Sequence, residues 1–183
     1  MNEQVLWFLN RGTGVVLVAV LTASMVLGIT ASRGRAGGRL PAFVTQTLHR
    51  NLSLLGLALL LVHIATAVLD EYVDIRWWNA VVPWGSSYEP VWVALGALST
   101  DLMLALVLLT ALRSHVGQRT WRGVHLTAYA AWLVGLAHGI GIGTDTGERW
   151  VWTTYLACAG LLATLLVARS LTNRGPAYHE ALR

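Results

Sequence analysis

Residues 52–69 read LSLLGLALLLVHIATAVL, 18 positions without a formal charge and with one histidine, His63, two thirds of the way along. An α-helix needs about 20 predominantly apolar residues to cross ~30 Å of hydrocarbon. An amphipathic helix of a soluble domain would show a polar stripe every third or fourth position, and this run has none. Outward from it, the same pattern recurs at Gly14 to Thr30, Val91 to Leu112, Leu126 to Ile142 and Val151 to Ala168. With Leu52 to Leu69 these make five expected membrane spans joined by short loops. The expected fold is an all-α polytopic membrane helix bundle, with residues 1–183 forming a single domain.

Composition agrees. The chain is 55% hydrophobic and 12% charged, against about a quarter charged in an ordinary soluble domain. All thirteen basic residues are arginine, and they are sorted by loop. Arg33, Arg35, Arg39 and Arg50 lie between spans one and two, Arg113, Arg119 and Arg122 between three and four, and Arg169, Arg174 and Arg183 after five. The other side mixes Arg11, Arg76 and Arg149 with Glu3, Asp70, Glu71, Asp74, Glu89, Asp145 and Glu148. The positive-inside rule then sets the N-terminus outside and the C-terminus in the cytoplasm, in a multi-pass protein of the plasma (inner) membrane. Topology accounts for the basic balance, so no nucleic-acid partner is expected. The arginines follow the first apolar run instead of preceding it, which favours a retained helix over a cleaved signal. Val5 to Leu9, with Trp7 and Phe8, reads as an interfacial lead-in to it.

Most tryptophans fall on the outer side, as an aromatic belt would place them. The longest connection, Asp70 to Pro90, holds four acidic residues and three tryptophans. It is suited to meeting an outer partner or to lying on the membrane surface. Cys158 stands alone inside span five, so the chain can form no internal disulfide. It reads as a small apolar residue.

Four histidines carry the chemistry. His49 and His63 belong to one helix, His125 and His138 to another, at separations of 14 and 13 residues. A polar ring inside a membrane span is costly and marks a functional position. At 1.5 Å per residue both separations place two levels about 20 Å apart. Spans two and four run in the same direction, so His49 and His125 share an inner level, and His63 and His138 an outer one. Two imidazoles at each of two levels point to axial ligation of two b haems, held without covalent attachment because no C-x-x-C-H is present. Iron with two axial histidines has no open position, which favours electron transfer. Azimuth fits less well. Fourteen residues return to within about 40° of the starting face, whereas thirteen leave about 140°, so span four must bend or cross span two obliquely. Gly135, Gly139 and Gly141 would permit it.

The anionic edge of a haem calls for cations. Arg50 and Arg122 stand beside the inner histidines, with Arg113 and Arg119 near them; Arg76 or Arg149 would serve the outer level. Asp101, within span three, reads as a proton relay or a local hydrogen-bonding group. His115 and His179 read as solvated. Gly139 to Gly147 is glycine-rich but follows a membrane helix instead of a strand, so it is no dinucleotide fingerprint. No flavin or nicotinamide domain is read in the 183 residues.

The stretches Leu48-His-Arg-Asn-Leu-Ser with His63, Arg119-Thr-Trp-Arg-Gly-Val-His125, Ala137-His-Gly139 and Gly143-Thr-Asp145 resemble the ferric reductase-like transmembrane domain. That family includes NADPH oxidases and ferric-chelate reductases, and the likeness is greatest to its short, stand-alone bacterial members. The resemblance implies two b haems on the two histidine pairs. It also implies an oxidoreductase component that takes electrons from a cytoplasmic flavoprotein or a quinol and delivers them to an extracytoplasmic protein or metal ion. Family oxidases carry six spans, where five are read here, and a cytoplasmic flavin domain. Two other readings stand beside it: a haem-free membrane anchor subunit of a partner enzyme, and a small transporter using Asp101 and the histidines.

Overall fold

The computed structural model describes residues 3–32 and 41–172. The basic turn Arg33 to Arg39, together with Arg174, His179 and Arg183, lies outside them. Six α-helices follow one another: α1 (Glu3–Ser32), α2 (Ala42–Leu69), α3 (Pro90–Ala111), α4 (Gln118–His125), α5 (Thr127–Ile142) and α6 (Arg149–Thr172). Two short 3₁₀ turns, Trp77–Ala80 and Thr144–Gly147, complete the described structure, which contains no strand.

Prolines mark helix starts here. Pro41 immediately precedes α2 and Pro90 opens α3, where the missing N–H is no loss. Four helices are long and apolar enough to cross a membrane: Gln4–Ala31, Ala42–Leu69, Pro90–Ala111 and Arg149–Leu171. The expected span Leu126 to Ile142 corresponds to α5, a helix of 16 residues. At about 24 Å it is shorter than a ~30 Å hydrocarbon core. The lead-in at Val5 to Leu9 is not separate from the first span. Both belong to the 30-residue α1, because backbone hydrogen bonding continues through Asn10 and Arg11, polar residues that lower hydropathy without breaking a helix.

Two pairs of helices pack antiparallel, α1 along α2 and α3 along α5, and α6 covers α1. The backbones of α2 and α5, by contrast, stay apart. The apolar centre is built from Val18, Ile29, Trp132, Leu136, Val151, Tyr155, Cys158 and Leu162. Within it the Trp132 indole N–H donates to Thr22 Oγ1 at 2.9 Å, and the Thr22 hydroxyl donates to Val18 O at 2.7 Å. Replacing Thr22 by Val is expected to leave the buried Trp132 N–H without an acceptor, at a cost of about 1–3 kcal/mol. Thermal unfolding in detergent would show it as a lower Tm, and an unchanged Tm would contradict it. α2 buries only Thr45, Gly56 and Thr66, while Leu54, Leu55 and Leu61 are exposed. Such leucines face outward where a bilayer supplies the apolar solvent.

Candidate functional site

Each of the histidines His49, His63, His125 and His138 meets the partner on its own level. The His49 and His125 ring centres are 6.0 Å apart with planes at 76°; those of His63 and His138 are 6.3 Å apart at 85°. Both pairs bridge the gap between the α2 side and the α4–α5 side of the bundle. The helical bonding tightens locally at Leu126, between α4 and α5, while the backbone there stays helical at φ −69° and ψ −20°. There the Leu126 N–H is shared between Arg122 O and Gly123 O, both at 3.2 Å, and Tyr129 N–H reaches back three residues to Leu126 O at 3.1 Å. An ideal 100° step therefore does not carry across from His125 to His138.

What holds the rings is repeated three times. His63 Nδ1 lies 3.0 Å from Asn10 O, His49 Nδ1 2.7 Å from Ser24 O, and His138 Nδ1 2.6 Å from Trp92 O. A carbonyl only accepts, so each Nδ1 carries the proton and each Nε2 keeps its lone pair, the tautomer a metal ligand needs. In every case a glycine stands four residues after the accepting carbonyl: Gly14 after Asn10, Gly28 after Ser24, Gly96 after Trp92. A carbonyl in a helix is flanked by the side chain four residues on, and glycine leaves that flank open to the imidazole. A Cβ built on these glycines would meet ring atom Cε1 of His63 at 3.1 Å, of His49 at 3.3 Å and of His138 at 2.7 Å. Gly14 and Gly28 repeat the 14-residue spacing of the histidines they touch, as antiparallel packing of α1 on α2 requires. Side chains close two of the three contacts from the other direction: Asn10 Nδ2 donates to His63 O at 2.9 Å, and the Ser24 hydroxyl to His49 O at 3.4 Å.

The fourth ring is held differently. His125 ends α4, stacked on Trp121 at 4.9 Å and 16°. Its Nδ1 is enclosed without a hydrogen-bond partner, and so is Trp121 Nε1.

A cavity of about 230 Å³ opens around the His63–His138 pair, bounded by α1, α2, α3, α5 and α6. Its floor and walls are apolar, including Val18, Leu21, Val93 and Ala97. The cation at its edge is Arg11, which also donates to Ile142 O at 3.4 Å. Asp70 and Asp145 share that end of the cavity. Arg76 and Arg149 are exposed, and Arg76 pairs with Asp74 at 3.4 Å. At the His49–His125 level Arg50, Arg119 and Arg122 are exposed, while Arg113 Cζ lies 5.3 Å over the Trp121 ring. His115 is exposed beside Ser114, at 3.1 Å. Asp101 is half-buried on α3. Its neighbours Ser99 and Thr100 donate to Ala131 O and Gly96 O, at 2.9 and 3.0 Å.

Over the His63–His138 end lies the 70–90 loop. The Asp74 carboxylate accepts from Ser87 at 3.0 Å and from Arg76 at 3.4 Å. These bonds hold it below the usual carboxylate range, the Ser87 bond first, and tie the two limbs of the loop. Tyr72, Trp77 and Trp84 are exposed on it.

Asn10, Ser24, Trp92, the three glycines and Arg11 all escape a reading by hydropathy and charge. Their signal is positional: opposite three of the four histidines, His49, His63 and His138, stands a glycine in an antiparallel register, and one turn before it an acceptor. No family model, no curated protein and no solved structure matches the chain.

The ring pairs fit a haem better than a bare ion. Two metal–nitrogen bonds of about 2.0 Å, extended by about 1 Å to each ring centre, span about 6 Å, which is the separation seen at both levels. Among the described residues no group of three or more His, Cys, Asp or Glu could hold an ion. Two imidazoles are too few for a protein-only site, but they are what a macrocycle bringing its own equatorial nitrogens leaves to the protein.

Proposed function

We propose that the chain is a di-haem b membrane cytochrome, similar in role to the ferric reductase-like transmembrane domain. In this reading it carries electrons across the plasma membrane, from a cytoplasmic flavoprotein or quinol to an extracytoplasmic acceptor, either a protein or a metal ion. One observation carries the reading: two imidazole pairs face each other about 6 Å apart at two levels of an apolar bundle, and three of the four rings are fixed in the ligand tautomer. Five spans are read, with α4 and the tightened step at Leu126 lengthening the short α5, and with the N-terminus outside.

His49 and His125 hold the inner haem, and His63 and His138 the outer one. When bound, haem b supplies a one-electron carrier with both axial positions filled. The carbonyls of Asn10, Ser24 and Trp92 keep the Nδ1 protons in place and make those imidazoles more basic ligands. The apolar walls of the outer cavity exclude water and lower the local dielectric. Arg11 offers a guanidinium to a carboxylate at the outer haem edge, and Arg50 and Arg122 offer theirs at the inner one. A reduced flavin or quinol gives up two electrons singly and releases its protons on its own side. Each electron received inside is matched by one delivered outside, so charge crosses without a proton. The basic inner face suits an acidic donor, and the exposed aromatic residues of the 70–90 loop suit contact with an acceptor protein.

Reconstitution in sealed vesicles tests this. With ferricyanide trapped inside and a membrane-impermeant reductant outside, bleaching of ferricyanide is expected only when haem-loaded protein is present. No bleaching by haem-loaded protein would contradict transmembrane transfer, and a haem-free, inert chain would favour the anchor reading.

A further inference from the structure

His125 stands apart from the other three rings, and the difference bears on how the two levels divide the work. Its Nδ1 has no acceptor, and its plane is set by stacking on Trp121, over which Arg113 lies. The outer level therefore has two rings tied to carbonyls, His63 and His138, and the inner level has one, His49. A tied imidazole is the more basic ligand and favours oxidised iron. Charge acts in the same direction. The inner end carries Arg50, Arg113, Arg119 and Arg122 and, among the described residues, no acid. At the outer end, Asp70 and Asp145 line the cavity with Arg11. Positive surroundings raise a reduction potential and negative ones lower it.

Resting on the haem reading above, we infer that Trp121 is the positioning residue for His125, and that the His49–His125 centre has the higher potential of the two. An electron received from the cytoplasmic side is then held at the inner level until the outer acceptor draws it on. Among the described residues no hydrogen-bond partner takes over this task, since His125 Nδ1 meets none and the ring's stacking contact is Trp121.

A redox titration of the purified full chain, followed by haem absorbance, tests the inference. Wild type is expected to show two waves, with the wave kept by His63→Ala or His138→Ala the higher and that kept by His49→Ala the lower. Trp121→Leu opens the His125 Nδ1 to water as an acceptor. It should lower the higher wave and alter the inner low-spin resonance signal while leaving the outer wave in place. Trp121→Phe, which keeps a flat partner, should restore both. If the outer-depleted variants keep the lower wave, or if Trp121→Leu moves both waves or neither, the inference fails while the haem reading stands. A chain that binds no haem overturns both.

Discussion

Alanine at His63 or at His138 is expected to leave one haem per chain instead of two, with the inner spectrum retained. Alanine at His49 or His125 should do the converse. Both members of a level are needed because each supplies one side of a pair whose ring centres are 6.0 or 6.3 Å apart, and neither level has a third donor among the described residues. The two levels should behave independently: the Asn10 and Trp92 contacts that orient the outer rings do not touch the Ser24 contact that orients His49. His115→Ala serves as the control, since that ring is exposed and meets only Ser114. Quantifying haem against protein for each variant decides the matter. Full haem content in all four variants would show that the ligands have been misassigned.

The second large effect is expected at a residue with no side chain. Gly96→Ala would place a Cβ 2.7 Å from His138 Cε1 and 2.8 Å from its Nδ1, closer than a real methyl group can stand. Either the ring turns away and loses its bond to Trp92 O, or α3 moves off α5. Both outcomes release His138, so the outer haem should be lost or markedly weakened, with its low-spin signal changed. Gly14→Ala and Gly28→Ala, at 3.1 and 3.3 Å from His63 and His49, should do the same more mildly and each at its own level. Gly160→Ala, whose Cβ would meet nothing within 4 Å, should leave both haems bound and, as an exposed helical position, favour the helix by up to about 1 kcal/mol. Haem content and spectra that are unchanged in Gly96→Ala would mean that the glycine–carbonyl cradle does not orient the ring.

The sequence makes part of this legible. Uncharged runs such as 52–69 declare membrane helices because a helix satisfies its own backbone in hydrocarbon, whereas a barrel strand would alternate apolar and polar residues. Which histidine rings face each other follows from level alone, since separations of 14 and 13 residues put both helices in step. Three features escape. α1 reaches back to Glu3, although Asn10 and Arg11 depress hydropathy there, because a helix is propagated by backbone bonds and not by hydrophobicity. The tightened step at Leu126 carries no proline, only Gly123 a turn before it, so nothing local announces it. The anchors of the rings lie on neighbouring helices, at Asn10, Ser24 and Trp92, and become visible only when the chain is paired antiparallel and glycines are sought opposite histidines. Arg11 was obscured for the same reason: by charge it belongs to the outer loops, whereas in the fold it lines the outer cavity.

The measurement that bears most directly on the central claim is haem per chain in purified protein expressed with ample haem supply, with a reduced-minus-oxidised spectrum. Two b haems per chain with low-spin, six-coordinate bands are expected. A chain that folds into its helical bundle yet binds no haem would contradict the claim outright.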